Sequence, residues 1–226
     1  MPQSRVVYEI TSFQVSRAYL ENPYIFKSAT AYIAENAPHG NYTGLQVEEP
    51  VNKLTSFTGW DSIEQHVAFR TSTAHTELVS RAQAAKAGDA TTFHTSFEND
   101  EQPALNSKIT ELVWVAPKQG VDLTDLARAV ALAVRNFNGD AEYPVGEEKC
   151  SGAAWGYVVE KKVICYVAGW PSMEARNAIC RRMTRQTHGA VKEAKIWLAN
   201  GDREAENWDD IAVQTIVHLK LEPSSA

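Results

Sequence analysis

The 226 residues carry 44% apolar side chains, enough for a large core in one domain or two small half-domains. Net charge is −6 with no dense Lys/Arg run, which argues against nucleic acid as a partner, because phosphate binding needs a concentrated positive surface. No apolar run approaches membrane-spanning length, and Met1 to Arg5 lead into a strand pattern without a signal-peptide core.

Val6 to Phe13 alternates as a strand. After Asn22-Pro23, the residues Ile25, Ala29, Tyr32 and Ile33 share one helical face, and Pro38-His39-Gly40-Asn41 ends that helix. Tyr42 to Val47 and Lys53 to Gly59 read as a hairpin turned at Glu49-Pro50-Val51-Asn52. Asp61 and Glu64 have capping-box character and predict a helix from there to about Arg70. A further helix is expected over Ala74 to Ala87, stopped at Gly88-Asp89, followed by a strand over Thr91 to Phe97. Asn99 to Ser107 reads as a linker.

The second half keeps the order. Ile109 to Val115 is a strand, and Leu123, Leu126, Ala127, Val130 and Val134 form a helical stripe. Ala153 to Val159 and Val163 to Gly169 form a hairpin. A helix is expected from Ser172 to about Thr187, then a largely polar insert over Val191 to Asp210, then a closing strand over Gln214 to Leu221.

The order is the same because the chain repeats itself. Gly59-Trp60-Asp61-Ser62-Ile63-Glu64-Gln65-His66-Val67-Ala68-Phe69 matches Gly169-Trp170-Pro171-Ser172-Met173-Glu174-Ala175-Arg176-Asn177-Ala178-Ile179. Gly44 to Glu48 pairs with Gly156 to Glu160, Glu9 with Glu111, and His94 with His218. A doubled unit this long is no solenoid repeat. Each half, 1–105 and 106–226, reads as β-α-β-β-α-β, the ferredoxin-like arrangement, whose sheet has helices on one face only. The expected fold is α+β: two tandem ferredoxin-like repeats packed sheet to sheet as an intrachain α+β barrel.

The Gly-Trp-x-Ser-x-Glu-x-His sequence at Gly59 to His66, between a hairpin and a helix, resembles the dimeric α+β-barrel superfamily. It is most similar to the antibiotic-biosynthesis-monooxygenase-like branch, in the tandem form common among fungal proteins. The second copy departs from it, with Pro171 for the Asp and Arg176 for the His. The resemblance implies a pocket between the sheet and helices of a half. Members include cofactor-free monooxygenases, haem-degrading enzymes and cyclases.

Trp60 and Trp170 are pocket walls or core anchors, and their duplication favours anchors. His66, without a repeat partner, is the candidate catalytic base for a phenolic or 1,3-dicarbonyl substrate, whose carbanion would reduce dioxygen; otherwise it is a solvated helix histidine. His75 is a candidate ligand contact, His75 or His66 would be the axial ligand of a haem, and His94 and His218, being repeated, read as structural. Tyr32, Phe57, Phe69, Trp155, Tyr157 and Arg176 complete the candidate ligand-binding set. Glu9 and Glu111 either face a wet side of the sheet or bond to a partner. Cys150, Cys165 and Cys180 fit neither a disulfide framework nor a metal site, so the thiols are expected reduced and the chain cytoplasmic.

Three functions follow. The preferred one is binding of a small apolar or aromatic molecule, a secondary metabolite or pigment, in a pocket between sheet and helices. The alternatives are a cofactor-independent monooxygenase or cyclase with His66 as base, and a haem-binding protein. No metal or cofactor is expected under the first reading, haem only under the last, and the chain is expected as a monomer or homodimer.

Overall fold

The computed structural model describes residues 5–140, 149–179, 205 and 207–224. The chain divides into two compact units, Met1–Ser96 with Leu219–Ala226, and Phe97–His218.

Unit 1 runs β1 (Val7–Val15), α1 (Arg17–Glu21), a 3₁₀ turn (Pro23–Phe26), α2 (Lys27–Asn36), β2 (Asn41–Gln46), β3 (Lys53–Trp60), α3 (Ile63–Arg70), α4 (Thr73–Ala82) and β4 (Lys86–Phe97). Unit 2 runs α5 (Gln102–Leu105), β5 (Ile109–Pro117), α6 (Leu123–Arg135), β6 (Gly152–Val158), β7 (Ile164–Trp170), α7 (residues 173–179), α8 (Trp208–Ile211) and β8 (Ala212–Pro223), whose last residues belong to unit 1. Strand order is β4-β1-β3-β2 in unit 1, with Leu219 to Pro223 of β8 beyond β2, and β8-β5-β7-β6 in unit 2. The two orders are one order: fourth, first, third, second. Every pairing for which a register is resolved is antiparallel, as a fold built on hairpins requires.

Several expectations shift. A short helix, α1, precedes Asn22, and the helix expected from Pro23 starts at Lys27 as α2, because Pro23 begins a separate 3₁₀ turn capped by Asn22. The linker contains α5. The helix expected to Ala87 ends at Ala82, and β4 begins at Lys86 instead of Thr91. Gly88 does not stop a helix: with φ 80° it sits inside β4, where the β1 pairing slips between Ser12 and Gln14. The expected continuation of α7 to Thr187, nearly all of the insert over Val191 to Asp210, and Cys180 lie outside the described residues.

The repeated Gly-Trp pair has a packing reason. A Cβ on Gly59 would meet His39 Cβ at 2.6 Å, and one on Gly169 would meet Ser107 Oγ at 2.2 Å and Ala104 Cα at 2.9 Å. Neighbouring atoms pass so close in both units that only glycine fits. Each neighbouring tryptophan then turns inward and is essentially fully buried.

The helix side of the unit 1 sheet holds two separate apolar clusters. One gathers Phe13, Val15, Tyr19, Leu54 and Ala85, with Phe26 and Leu45 against it. The other gathers Ile33, Ala37 and Trp60, with Phe69 and Leu78 against it. In unit 2, α6 supplies the stripe its spacing predicts: Leu126, Ala127, Val130 and Val134 are buried, while Leu123, at the first turn, is not.

Candidate functional site

Glu9 from β1, Trp60 from the end of β3, His66 from α3 and His94 from β4 converge in unit 1. The start of α3 sets His66 in place. Ser62, one residue later than the expected Asp61, is the N-cap and accepts from Gln65 N at 3.2 Å, while Gln65 Oε1 accepts from Asp61 N at 2.7 Å. His66 then falls on the inward face of the first turn and is 2% exposed.

Its two ring nitrogens are both occupied. Nε2 lies 3.2 Å from Glu9 Oε2, and Nδ1 lies 2.7 Å from His94 Nε2. The Trp60 indole Nε1–H donates to Glu9 Oε2 at 3.2 Å, and its ring stacks on His66 with centroids 5.2 Å apart. Thr11 Oγ1 donates to Glu9 Oε1 at 3.0 Å. A carboxylate only accepts, so the protons order themselves: His94 Nε2–H donates to His66 Nδ1, and His66 Nε2–H donates to Glu9. Three donors thus end on one carboxylate, which offsets the cost of its partial burial.

Burial pushes the His66 imidazole below its ordinary value; the Glu9 carboxylate raises it, and His94, Arg70 and His75 lower it further. The folded state therefore holds His66 neutral where an unfolded chain would already be protonated. Stability should be level above the ordinary imidazole pKa of about 6.5, and fall below it by at most about 1.4 kcal/mol per pH unit until the folded imidazole protonates. Urea unfolding of the wild type and His66→Gln at pH 7.5 and 5.5 checks this: the variant should show the smaller loss. An equal loss in both would assign the pH dependence elsewhere.

Unit 2 repeats the plan with one change. Trp170 Nε1–H donates to Glu111 Oε2 at 2.8 Å, matching Trp60 and Glu9. At the His66 position, Arg176 grips Glu111 as a fork, Nη2 to Oε1 at 2.7 Å and Nε to Oε2 at 3.1 Å. His218 Nε2 stands 3.9 Å from Glu111 Oε2. The carboxylate of unit 2 is pinned by a permanent charge, that of unit 1 by a titratable one. The two tryptophans have like surroundings, as a repeat demands.

The floor beneath the helices separates the units further. Across β2-β3-β1-β4 of unit 1, register places Asn41, Thr58, Glu9 and His94 in one row, and Thr43, Ser56, Thr11 and Thr92 in the next. All eight point to the helix side, because they share parity with Trp60 and Glu9. These two polar rows lie between the two apolar clusters. Thr43, Ser56, Thr11 and Thr92 are only half-buried. In unit 2 the matching registers hold Ala153, Ala168 and Glu111, then Trp155, Tyr166 and Val113. Apart from the acid, and from His218 near it on β8, the residues at these positions are small, apolar or aromatic.

The residues expected to bind ligand are therefore scattered. His66, Trp60, Phe69 and His75 do meet: Phe69 lies 5.1 Å from the Trp60 ring and 5.9 Å from His75, edge-on. Phe57 is buried on the opposite face of β3 from Trp60, three residues away, and cannot line the same pocket. Tyr32 on α2 carries Arg81 over its ring at 4.4 Å. Trp155, Tyr157, Trp170 and Arg176 belong to unit 2, with Trp155 and Tyr157 packed against each other at 5.5 Å. A solvated His66 is corrected to a buried one, and His94, expected to be structural, is its buried hydrogen-bonded neighbour. Glu9 and the hydroxyl rows, missing from the expected site, could have been found by comparing the two repeats strand by strand. Among the described residues no group of three His, Cys, Asp or Glu side chains is arranged to hold a metal ion. Cys165 is fully buried, and burial pushes its thiol far up, so it is an inert core residue.

No protein-family model and no curated protein sequence matches the chain. Solved structures do. A provisionally named monooxygenase from Fusobacterium nucleatum subsp. nucleatum superposes with a TM-score of 0.62 at 9% identity, covering 98% of this chain and 95% of that one. An anthrone oxidase-like protein gives 0.58 at 10% identity over 98% and 94%. A haem-binding protein from Thermus thermophilus gives 0.51 at 10% identity over 96% and 91%. At such identities the likeness concerns backbone alone, and it shows that this chain shares their mixed α+β fold along nearly its whole length.

Proposed function

We propose that unit 1 binds a small organic molecule between its sheet and its helices, with Glu9 and the hydroxyl rows as polar contacts, and that unit 2 is the diverged copy serving as scaffold. The observation that carries this is the polar floor: eight polar side chains under helices, flanked by apolar clusters, of which unit 2 keeps the acid and a histidine, Glu111 and His218, and replaces Asn41, Thr58, Thr43, Ser56 and Thr11 by Ala153, Ala168, Trp155, Tyr166 and Val113. A helix-covered sheet face built for packing alone would be apolar throughout. The fold shared with a provisionally named monooxygenase, an anthrone oxidase-like protein and a haem-binding protein is consistent with a small-ligand site.

The Glu9–His66–His94 chain favours a second reading, proton abstraction from the bound molecule as in a cofactor-independent oxygenase or cyclase. In this reading Glu9 is the base, not His66, whose ring nitrogens are already engaged. Glu9 is 18% exposed and His66 2%, so the carboxylate is the reachable group. Haem fits less well: an axial role for His66 would take one of its two engaged ring nitrogens from its partner on a side chain that is 2% exposed, and His75 packs against Phe69. The same reading keeps the repeated β-α-β-β-α-β order as a tandem ferredoxin-like module of monooxygenase-like type, a cytoplasmic location, and a monomer or homodimer. Among the described residues no helix is long and apolar enough to cross a membrane.

An NMR fragment screen tests the binding reading. Binders should shift the Trp60 indole N–H and the His66 ring signals while leaving the Trp170 indole N–H in place. Binders that move only Trp170 would put the site in unit 2 and end this proposal. For the enzymatic reading, Glu9→Gln should abolish any oxygen consumption that the same binders support.

A further inference from the structure

A cleft of about 480 Å³ opens in unit 1 where α2 and the 3₁₀ turn before it face β2 and the end of β8. Its size suits a bicyclic ligand. Tyr19, Tyr24 and Phe26 form one wall, with the Tyr24 ring 79% exposed at the rim. Thr43, the first hydroxyl of the second polar row, lies in the lining, so the cleft leads onto the floor that ends beside Glu9.

The hydrogen bonds around Asn41 decide what the cleft can recognise. Asn41 is 2% exposed, and its Nδ2 donates to Phe57 O at 3.3 Å, Ser56 Oγ at 2.6 Å and Thr58 Oγ1 at 2.8 Å. A peptide carbonyl only accepts, so the amide orientation is settled and Oδ1 points the other way. Oδ1 accepts from Thr43 Oγ1 and from Ser224 Oγ, each at 2.8 Å. With its proton on Asn41 Oδ1, each hydroxyl can only accept from a guest in the cleft that both residues line; Thr43 Oγ1 also lies 3.4 Å from Ser56 Oγ. Glu222, also in the lining, adds an acceptor-only carboxylate whose charge is felt inside: burial, and after it this charge, push the Tyr19 phenol up. Lys27 lines the same cleft and opposes a cationic head.

We infer that this cleft holds the head of the ligand and selects a neutral hydroxyl on a flat apolar body over the same body with that hydroxyl capped. The inference rests on unit 1 being the binding unit and adds the ligand's chemical class and its orientation, hydroxyl toward Thr43 and Ser224.

The test uses the full chain with 2-naphthol and its methyl ether, 2-methoxynaphthalene, measured by NMR titration. One charge-assisted or well-placed hydrogen bond predicts a preference for 2-naphthol of about tenfold. Thr43→Val, which keeps the β-branched strand shape, and Ser224→Ala, at the strand end, should each bring that preference toward unity. Each withdraws one donor from the buried Asn41 Oδ1 and lowers the unfolding midpoint, so the comparison is made well below it, with the Trp170 indole N–H signal unmoved as the mark of an intact fold. Equal affinity for the two probes, a preference that survives both substitutions, or no binding of either at millimolar concentration overturns the inference. If the preference appears and vanishes in the variants but the His66 and Trp60 signals stay still, the cleft stands and the Glu9 face is not the binding floor. If those signals move without any preference, the floor stands and the cleft's selectivity fails.

Discussion

Arg176→Met should destabilise the fold by about 3–5 kcal/mol, the usual cost of removing one partner from a buried ion pair. Glu111 is 3% exposed and loses both arms of its fork at once, keeping Trp170 as its donor. Methionine preserves much of the side-chain volume, so the loss is of charge pairing and hydrogen bonding. The double variant Arg176→Met with Glu111→Leu should recover most of it, because a packed apolar pair leaves no charge stranded. Urea unfolding of wild type, single and double variants measures both. A single-variant loss below about 1 kcal/mol, the scale of an exposed pair, would show that Glu111 reaches water.

Trp60→Ala should cost a similar amount, about 3–5 kcal/mol, for a different reason. The indole is 1% exposed and joins Ile33 and Ala37 of the helix segment to Phe69 and Leu78, so its removal empties the centre of that cluster. Trp60→Phe separates packing from hydrogen bonding: it keeps most of the apolar contact and withdraws one donor from Glu9, for about 1–3 kcal/mol. Denaturant unfolding gives the two losses. If Trp60→Phe costs as much as Trp60→Ala, the Glu9 hydrogen bond outweighs the cluster.

These two predictions concern matched positions with unmatched partners. His66 and Arg176 occupy the same place in the sequence match and touch matching acids, yet only the histidine can change its charge, and burial moves that change below the ordinary imidazole range. Divergence at this position gives Glu111 a permanently charged partner and Glu9 a titratable one. The hydroxyl rows agree: Asn41, Thr43, Ser56 and Thr58 correspond to Ala153, Trp155, Tyr166 and Ala168 at matching registers.

Much of this was written in the linear pattern. The eight strands are legible because strands alternate, and the longer helices because they carry a 3.6-residue stripe; the short α1, α5 and α8 are not, and the match of Gly-Trp-x-Ser-x-Glu at Gly59 and Gly169 is read directly from the chain. The paired acids Glu9 and Glu111 and the paired histidines were visible too, but not their partners. Local pattern could not foresee that β4 starts at Lys86, since the composition of Gln83 to Ala87 favours a helix and only pairing with β1 overrides it.

The candidate site needed the fold. Periodicity says which residues share a face of one strand, but Glu9, Trp60, His66 and His94 come from four elements, and their meeting depends on strand order and on the pitch of α3. Likewise, whether a threonine row is wet or packed depends on what lies above it. Sequence alone determined that Gly-Trp-x-Ser-x-Glu occurs twice and where the two stretches differ, because those are properties of neighbours along the chain. Tertiary structure alone decided that Glu9 is the group the donors converge on and that the polar floor lies in the first unit, because hydrogen bonds and burial are set by contacts between residues distant in the chain.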